Sequence, residues 1–273
     1  MSHTVLAFHA HPDDEALLTG GTLARAAAEG HRALVAVATD GDLGLASSAY
    51  RADGDLGRRR MAELAASCRI LGVSAVEHLG WADSGLGPDL LDDPPGRVRF
   101  ARVPDEEAAD RLAETLARER VDVLLSYDEN GGYGHPDHVK VHRVAALAAR
   151  RAGIPIVLEA TIPRDAICRA LDLAAKVYRF PPEFDRSSFE RAFSPRSAIT
   201  HRISVMAYAA RKRRAMRAHA SQASADGDAP RTLDLLPKIP WPLSTLVFGR
   251  EWYVDPARPP DAPIAYDIFS GLE

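Results

Sequence analysis

The sequence contains only two cysteines, Cys68 and Cys168, which lie far apart in helix-like stretches. They form no disulfide framework, so we expect two free thiols. The sequence also lacks an apolar run long enough to span a membrane, and it lacks the basic start of a signal peptide. The net charge of −4 gives no electrostatic basis for binding nucleic acid. These absences predict a soluble protein, cytoplasmic by default, with neither nucleic acid nor a membrane as partner.

Apolar residues make up 46% of the 273-residue chain, which is enough for the core of one large α/β domain. Short apolar runs typical of buried strands alternate with segments of helical spacing. The strands are predicted at 4–9, 33–38, 75–79, 121–127 and 154–159. This alternation predicts a Rossmann-like α/β fold with a mainly parallel sheet and helices on both faces. We assign residues 1–160 to this core and 161–273 to a helical and irregular C-terminal extension that completes the same domain and its pocket.

Three further segments carry predictions of their own. Residues 199–220 have the spacing of one helix, and 248–254 favour a late strand at the edge of the sheet. The basic run at 211–214 within that helix is typical of a solvated face, although an anion site would use the same charges. Residues 81–104 form a long irregular loop, and we expect it to line part of a substrate pocket.

The stretch AHPDDE, from Ala10 to Glu15, follows the first predicted strand and opens a helix. Open α/β sheets bind their ligands at the carboxyl ends of such strands. His11 and Asp14 are three residues apart and can face one point, and an imidazole with a carboxylate suits zinc. Asp13 points elsewhere and is free to handle a proton. Acids at a helix N-terminus also stabilise the helix electrostatically, which is the simpler interpretation of this stretch alone.

A second cluster, NGGYGHPDH at residues 130–138, also follows a predicted strand and opens a helix. Two such loops could supply three ligands and leave one position open, the pattern of a catalytic zinc site. His135 lies one turn before His138, so it could face the metal or stand beside it. Tyr133 lies between glycines that leave room for a substrate, although a tyrosine there could equally cap the loop. Asp137 could orient the nearby imidazoles or cap the helix.

Together, AHPDDE at 10–15 and GGYGHPDH at 131–138 resemble the PIG-L / LmbE-like family of zinc-dependent N-deacetylases. Shorter pieces follow in the family's order, namely Thr39-Asp40-Gly41-Asp42, Arg60 to Glu63, Asp83-Ser84-Gly85 and Lys212 to Gln222. The resemblance covers most of the chain up to residue 222. The first two motifs are specific in combination, whereas the others are weak alone.

The resemblance implies three groups of site residues. The implied metal ligands are His11, Asp14 and His138. The implied catalytic residues are Asp13 as general base, with Tyr133 and His135 stabilising the transition state. The implied substrate contacts are Arg60, Asp83 and Gln222. Arg58 and Arg59 flank Arg60, so the choice within that run is open.

The reaction implied is removal of an N-acetyl or longer N-acyl group from an amino sugar such as an N-acetylglucosamine derivative. Zinc is the expected cofactor, and the same ligands could hold iron(II), cobalt or nickel. The substrate could be an inositol-linked or malate-linked glucosamine, a chitin oligomer or an acylated glycopeptide antibiotic. Whether Asp13 or His135 protonates the leaving amine is open, and so is a homo-oligomeric state.

Two alternatives to this reaction remain at this point. One is an amidase for a larger thiol-conjugate amide, and the other is a non-catalytic nucleotide- or sugar-binding module with a Rossmann-type fold. The first turn argues against nucleotide binding because it reads HPDDEALLTGG and not G-x-G-x-x-G. The intact acids and histidines argue against a non-catalytic protein.

Overall fold

The computed structural model describes the chain except for residues 53, 88–89, 177–178, 180–184, 225, 227–231, 241–242, 261 and 273. Its strands are β1 (Thr4–His9), β2 (Arg32–Thr39), β3 (Ala75–Trp81), β4 (Val123–Tyr127), β5 (Ile156–Thr161), β6 (His201–Ser204) and β7 (Arg250–Val254). The described residues form one seven-stranded sheet in the order β3-β2-β1-β4-β5-β7-β6. Strands β1 to β5 are parallel, and β7 is antiparallel to both β5 and β6. The predicted mainly parallel sheet is confirmed.

Helices and single helical turns surround the sheet. They are α1 (Gly20–Ala28), α2 (Ser48–Arg51), α3 (Leu56–Leu71), α4 (Asp105–Glu119), α5 (Gly131–Gly134), α6 (Pro136–Ala152), α7 (Arg164–Ala174), α8 (Ala209–Ala218), α9 (Ala220–Ala223), α10 (Thr232–Leu235) and α11 (Leu243–Phe248). Local sequence explains their ends, since α3 stops at Gly72 in a left-handed conformation and α6 opens with Pro136. None of the helices in the described residues is long and apolar enough to cross a membrane.

Apolar side chains cover both faces of the sheet. Leu6 and Phe8 of β1 pack in a cluster with residues of α4 and α6. Val5 and Ala7 alternate to the opposite face and pack with residues of α1 and α3. Side chains of a strand point to alternate faces, so a strand that is buried on both faces has a continuous apolar sequence. This is why β1 could be recognised as a buried strand.

The strand order places the two sequence motifs together. The chain winds from β1 outward to β2 and β3 on one side, and from β4 outward to β5 on the other. The crevice between β1 and β4 is therefore a topological switch point, where open α/β sheets bind ligands. Residues 10–15 follow β1 and residues 130–138 follow β4. A π-helical turn at Glu15–Thr19 continues from the first motif into α1, and such turns are frequent at functional sites.

The C-terminal extension corrects one predicted element. Residues 199–220 do not form one helix, because His201–Ser204 are strand β6 and α8 begins only at Ala209. The side chains of β6 alternate between buried and exposed, and Ile203 packs in the core. Tertiary packing thus overrides the helical spacing of the sequence. The predicted strand after residue 248 exists as β7, but β6 takes the sheet edge in its place.

Two predictions on single residue types have different outcomes. Cys68 is buried and Cys168 half-buried, and both are free thiols as predicted. The basic run at 211–214 is not wholly a solvated face. Lys212 is only 3% exposed and donates to Glu251 Oε1 at 2.6 Å. A charge run in sequence can therefore hide one cation that pairs inside the fold.

Candidate active site

Two loops bring histidines and acids to the switch point between β1 and β4. His11 lies just after β1, Asp14 three residues further on, and His138 in the first turn of α6. All three side chains are buried. Parallel strands end at the same edge of a sheet, so side chains that follow two neighbouring strands meet there.

The distances within this group match those of ligands around one ion. Asp14 Oδ2 lies 3.5 Å from His11 Nδ1 and 3.4 Å from His138 Nε2. Two ligands on one tetrahedral zinc with normal bond lengths lie about 3.3–3.6 Å apart. The same Asp14 oxygen accepts the backbone N–H of His11 at 3.0 Å, which holds the turn in shape. The Asp14 carboxylate thus lies at ligand-to-ligand distance from one nitrogen of each ring.

The hydrogen bonds of the two rings also fit a metal. His138 Nε2 is buried and has no hydrogen-bond partner among the described residues. His11 Nε2 lies 3.2 Å from Asp137 Oδ2, which leaves His11 Nδ1 to face Asp14. Metal-binding histidines normally donate their second ring N–H to a carboxylate in this way. The residues present therefore fit a divalent metal ion. Clusters that could hold one are His11 with His135 and His138, and His11 with Asp83 and Asp137, so Asp14 as a ligand beside His11 and His138 stays a prediction.

The charges around these rings favour a cation. Burial alone would lower the pKa of His11, but the carboxylates of Asp83, Asp137 and Asp14 outweigh it and raise that pKa well above its usual value. Burial would likewise raise the pKa of Asp14, but His138 and His11 hold it well below its usual range. Positive charge on the His11 ring thus balances an excess of buried acid. A divalent cation can take over that role.

Asp13 lies beside this group in a strained conformation. Its φ of 110° is in the left-handed region, which residues other than glycine rarely adopt. Its Oδ1 lies 3.3 Å from Arg60 Nη2. Burial raises the pKa of Asp13, Arg60 opposes this and Asp14 adds to it, and the result is a pKa of about 6. A carboxyl with a pKa near neutrality is suited to exchange protons.

Tyr133 extends from a glycine-rich turn at the mouth of the site. Gly131, Gly132 and Gly134 all have positive φ, and Tyr133 is 57% exposed. Its ring centroid lies 5.1 Å from that of His138. Although much of the side chain is exposed, the protein atoms around its hydroxyl and then the Asp14 carboxylate raise the pKa of Tyr133, so this group remains a hydrogen-bond donor at neutral pH. The turn thus holds a neutral O–H beside the residues predicted to bind the metal.

His135 caps the start of α6 and is held as a neutral donor. Its Nδ1 accepts the backbone N–H of Asp137 at 3.1 Å, so the ring proton is on Nε2. Burial, then His11 and His138, lower the pKa of His135 to about 4. Donor nitrogens of His11, His135 and His138 all lie within 4.8 Å of one another. His135 is therefore within reach of the same point, and its place beside the metal stays a prediction.

The three residues predicted to bind substrate lie at or near this group, but each already contacts other groups of the protein. Arg60 is 3% exposed and donates to the carbonyls of Gly41 at 2.7 Å and Pro12 at 2.5 Å. Asp83 is buried with Oδ1 3.4 Å from His11 Nε2. Gln222 is buried and donates to the Ser221 hydroxyl at 3.1 Å. Their contact with a substrate stays a prediction. Residues 88–89 of the predicted pocket loop 81–104 lie outside the described residues.

Two supporting residues at the end of β4 were missed from the sequence. The Tyr127 ring stacks on His138 with centroids 4.3 Å apart, and its hydroxyl accepts the N–H of Ala10 at 3.1 Å. Asp128 accepts the N–H of Gly132 at 2.9 Å and so holds the turn that carries Tyr133. An acid directly after a buried strand is a signal that could have identified Asp128.

Two further supporting residues could not have been found in this way. Glu15 and His219 are fully buried and pair at 2.8 Å, although they lie far apart in the sequence. No spacing or local pattern joins residues that distant.

Comparison with known proteins finds a matching family and similar relatives. The family model "PIG-L: GlcNAc-PI de-N-acetylase" matches residues 6–149. A relative from Saccharomonospora viridis, named 1D-myo-inositol 2-acetamido-2-deoxy-alpha-D-glucopyranoside deacetylase, is 35% identical over 98% of this chain and 100% of its own.

Two solved structures are similar in fold. N,N'-diacetylchitobiose deacetylase from Pyrococcus horikoshii has a TM-score of 0.56 at 18% identity, covering 93% of this chain and 84% of that one. GalB, the 4-carboxy-2-hydroxymuconate hydratase from Pseudomonas putida, has a TM-score of 0.57 at 17% identity, covering 96% and 100%. Because a hydratase has the same fold, the fold alone does not determine the reaction.

Proposed function

The chain belongs to the PIG-L family of de-N-acetylases, and we propose that it is a zinc-dependent hydrolase that removes the N-acetyl group of an amino sugar. One observation carries the metal dependence. Asp14 Oδ2 lies at ligand-to-ligand distance from two histidine nitrogens, and one of these, His138 Nε2, has no other partner among the described residues. Imidazole and carboxylate ligands in this number suit a catalytic zinc.

The chemistry needs a water nucleophile and a polarised amide carbonyl. A zinc ion held by His11, Asp14 and His138 supplies both at neutral pH. Asp13 takes a proton from the attacking water as the new C–O bond forms. The Nε2–H of His135 and the hydroxyl of Tyr133 donate hydrogen bonds to the oxygen that gains negative charge, which is the largest single contribution in many such reactions.

The proton for the leaving amine comes from Asp13. Having taken a proton from water, Asp13 gives it to the nitrogen as the C–N bond breaks, so acetate and a free amine are the products. Two features of His135 favour Asp13 over His135 as the acid that protonates the amine. Its Nδ1 is occupied by the Asp137 N–H, and its low pKa leaves it without a second proton at neutral pH.

The first substrate to test is 1D-myo-inositol 2-acetamido-2-deoxy-α-D-glucopyranoside, because the Saccharomonospora viridis relative is named for it and spans nearly the whole chain. Such a substrate is rich in hydroxyls. Carboxylates and guanidinium groups such as those of Asp83 and Arg60 are suitable partners for hydroxyls.

The test is release of acetate by purified protein loaded with zinc. The substrates are the inositol glycoside, N,N'-diacetylchitobiose and N-acetylglucosamine, each with chelator-treated protein and with zinc added back. We expect hydrolysis of the inositol glycoside with the highest kcat/KM, loss of activity with chelator and recovery with zinc. Hydrolysis that survives complete removal of metal, or no hydrolysis of any of the three by the zinc form, would contradict the proposal.

A further inference from the structure

The strained backbone of Asp13 is held at its N–H by one side chain, while its carbonyl accepts the N–H groups of Ala16 and Leu17. A residue other than glycine at a φ of 110° is strained and persists only where its surroundings enforce it. The Asp13 N–H donates to Glu15 Oε2 at 2.9 Å. This hydrogen bond closes a short turn that aims the Asp13 side chain. The Glu15 carboxylate therefore fixes the backbone from which the Asp13 side chain extends towards Arg60.

Glu15 is itself fixed by donors from two other parts of the chain. Its second oxygen, Oε1, accepts from the Ser67 hydroxyl at 2.5 Å and from His219 Nε2 at 2.8 Å. Glu15 and both donors are fully buried. A buried carboxylate that loses a donor is destabilised, and it moves or takes up a proton to compensate. Ser67 lies on α3, so among the described residues of the C-terminal extension only His219 donates to the Glu15 side chain.

His219 has no other hydrogen bond from its ring among the described residues. Its Nδ1 is buried without a partner, so the ring is held through the hydrogen bond of Nε2 to Glu15. The backbone around it is firmly held, because the N–H groups of Gln222 and Ala223 both donate to the His219 carbonyl. Ser221 is tied to Glu63 of α3 through its N–H at 2.9 Å and its hydroxyl at 2.6 Å. The segment presents the His219 ring to Glu15 from a fixed base.

We propose that His219 is a positioning residue, which through Glu15 holds Asp13 in the orientation needed to take a proton from the attacking water. This inference rests on the proposed hydrolase function. His219 touches neither the metal-binding atoms nor the reacting amide. Its removal should therefore change how fast bound substrate reacts and leave metal and substrate binding in place.

The test compares two amide side chains at the same position. In His219→Gln the side-chain NH₂ comes close to the position of Nε2 and can still donate to Glu15. In His219→Asn the NH₂ lies near the position of Nδ1 and falls short. We expect His219→Asn to lower kcat by about 10–10²-fold with KM and zinc content nearly unchanged, since a small misplacement of a catalytic group has a cost of this size. We expect His219→Gln to keep most of the wild-type kcat.

A second measurement does not depend on activity. The amide proton of Asp13 is hydrogen-bonded to a carboxylate, so its NMR resonance should lie far downfield in ¹⁵N-labelled protein. We expect it to move upfield in His219→Asn and to stay in place in His219→Gln. The matched control is His201→Asn, which makes the same change at a different buried histidine that lies on β6. It should leave both the resonance and kcat unchanged.

The outcomes separate the two proposals. If wild-type protein hydrolyses no amide, the hydrolase function is wrong, while the Asp13 resonance still tests the link through Glu15. If His219→Asn keeps the wild-type kcat and resonance, or if Gln and Asn lower kcat equally, the hydrogen bond to Glu15 does not position Asp13. A fall in zinc content as large as the fall in kcat would also overturn the inference, because His219 would then act on the metal site.

Discussion

Two buried carboxylates, those of Glu251 and Asp14, are almost equally hidden from water and are neutralised in different ways. Glu251 Oε1 accepts from the Gly21 N–H at 2.8 Å and from Lys212 Nζ at 2.6 Å. Its Oε2 accepts from the Thr22 N–H at 2.8 Å and from the Tyr253 hydroxyl at 3.2 Å. Both oxygens are satisfied, and one full positive charge stands against one negative charge.

The group around Asp14 is not satisfied in this way. Asp14, Asp83 and Asp137 crowd around the rings of His11 and His138, and among the described residues no lysine or arginine forms an ion pair with these three carboxylates. Buried atoms remain unpartnered among the described residues, namely His138 Nε2 and Asp137 Oδ1. A buried charge with every partner supplied by the protein holds the fold together. A group with excess acid and a free ring nitrogen has the features of a site for a cation.

The largest effect should follow from changing Asp13, the acid that lies next to the group around Asp14. Asp13→Asn keeps the size of the side chain but cannot take a proton, so kcat/KM should fall by about 10²–10⁴-fold. Zinc content and the thermal midpoint should stay near those of wild type. Steady-state kinetics at matched zinc occupancy decide the matter. A variant with full zinc that keeps more than about a tenth of the activity, well short of the general-base range, would remove Asp13 from the mechanism.

The Glu251 carboxylate can be deprived of its cation by changing Lys212. Lys212→Met removes the cation but leaves the buried Glu251 carboxylate, and breaking such a pair costs about 3–5 kcal/mol of the free energy of unfolding. Urea denaturation measures the loss. The double variant Lys212→Met/Glu251→Gln should recover much of it, and both variants should bind zinc while folded. A loss below about 1 kcal/mol, the range of exposed pairs, would show that Glu251 does not need its cation.

A smaller effect is expected from the turn that overhangs the Asp14 group. Tyr133→Phe removes one hydroxyl that donates to the developing negative charge, and kcat/KM should fall by about 10²–10³-fold. The fall should lie in kcat, with zinc content unchanged. A wild-type rate in this variant would make Tyr133 a loop residue with no part in the reaction.

The sequence predicted the core of the fold because both signals were local. Continuous apolar runs such as that of β1 identify strands covered on both faces, and the motifs that follow β1 and β4 needed only the rule that ligands bind at strand ends. Prediction from the sequence failed where long-range packing determines the secondary structure. Strand β6 was predicted as helix because the burial of Ile203 depends on core residues far away in the sequence.

The supporting contacts of the site were hidden for the same reason. The run of arginines at 58–60 did not reveal that the guanidinium of Arg60 donates to the carbonyls of Gly41 and Pro12, and its contact with a substrate stays a prediction. The pairing of Glu15 with His219 joins residues 204 positions apart. A motif identifies the residues that do chemistry, but it does not reveal the side chains that hold them in place.

Metal content tests the contrast between the two carboxylates most directly. Asp14→Asn and Glu251→Gln each remove one buried negative charge with little change in shape. Zinc per chain, measured by mass spectrometry of metals after dialysis, should be about one for wild type and for Glu251→Gln, and far below one for Asp14→Asn. If folded Asp14→Asn retains a full equivalent of zinc, or if Glu251→Gln loses it to the same degree, the metal is not held where the account places it.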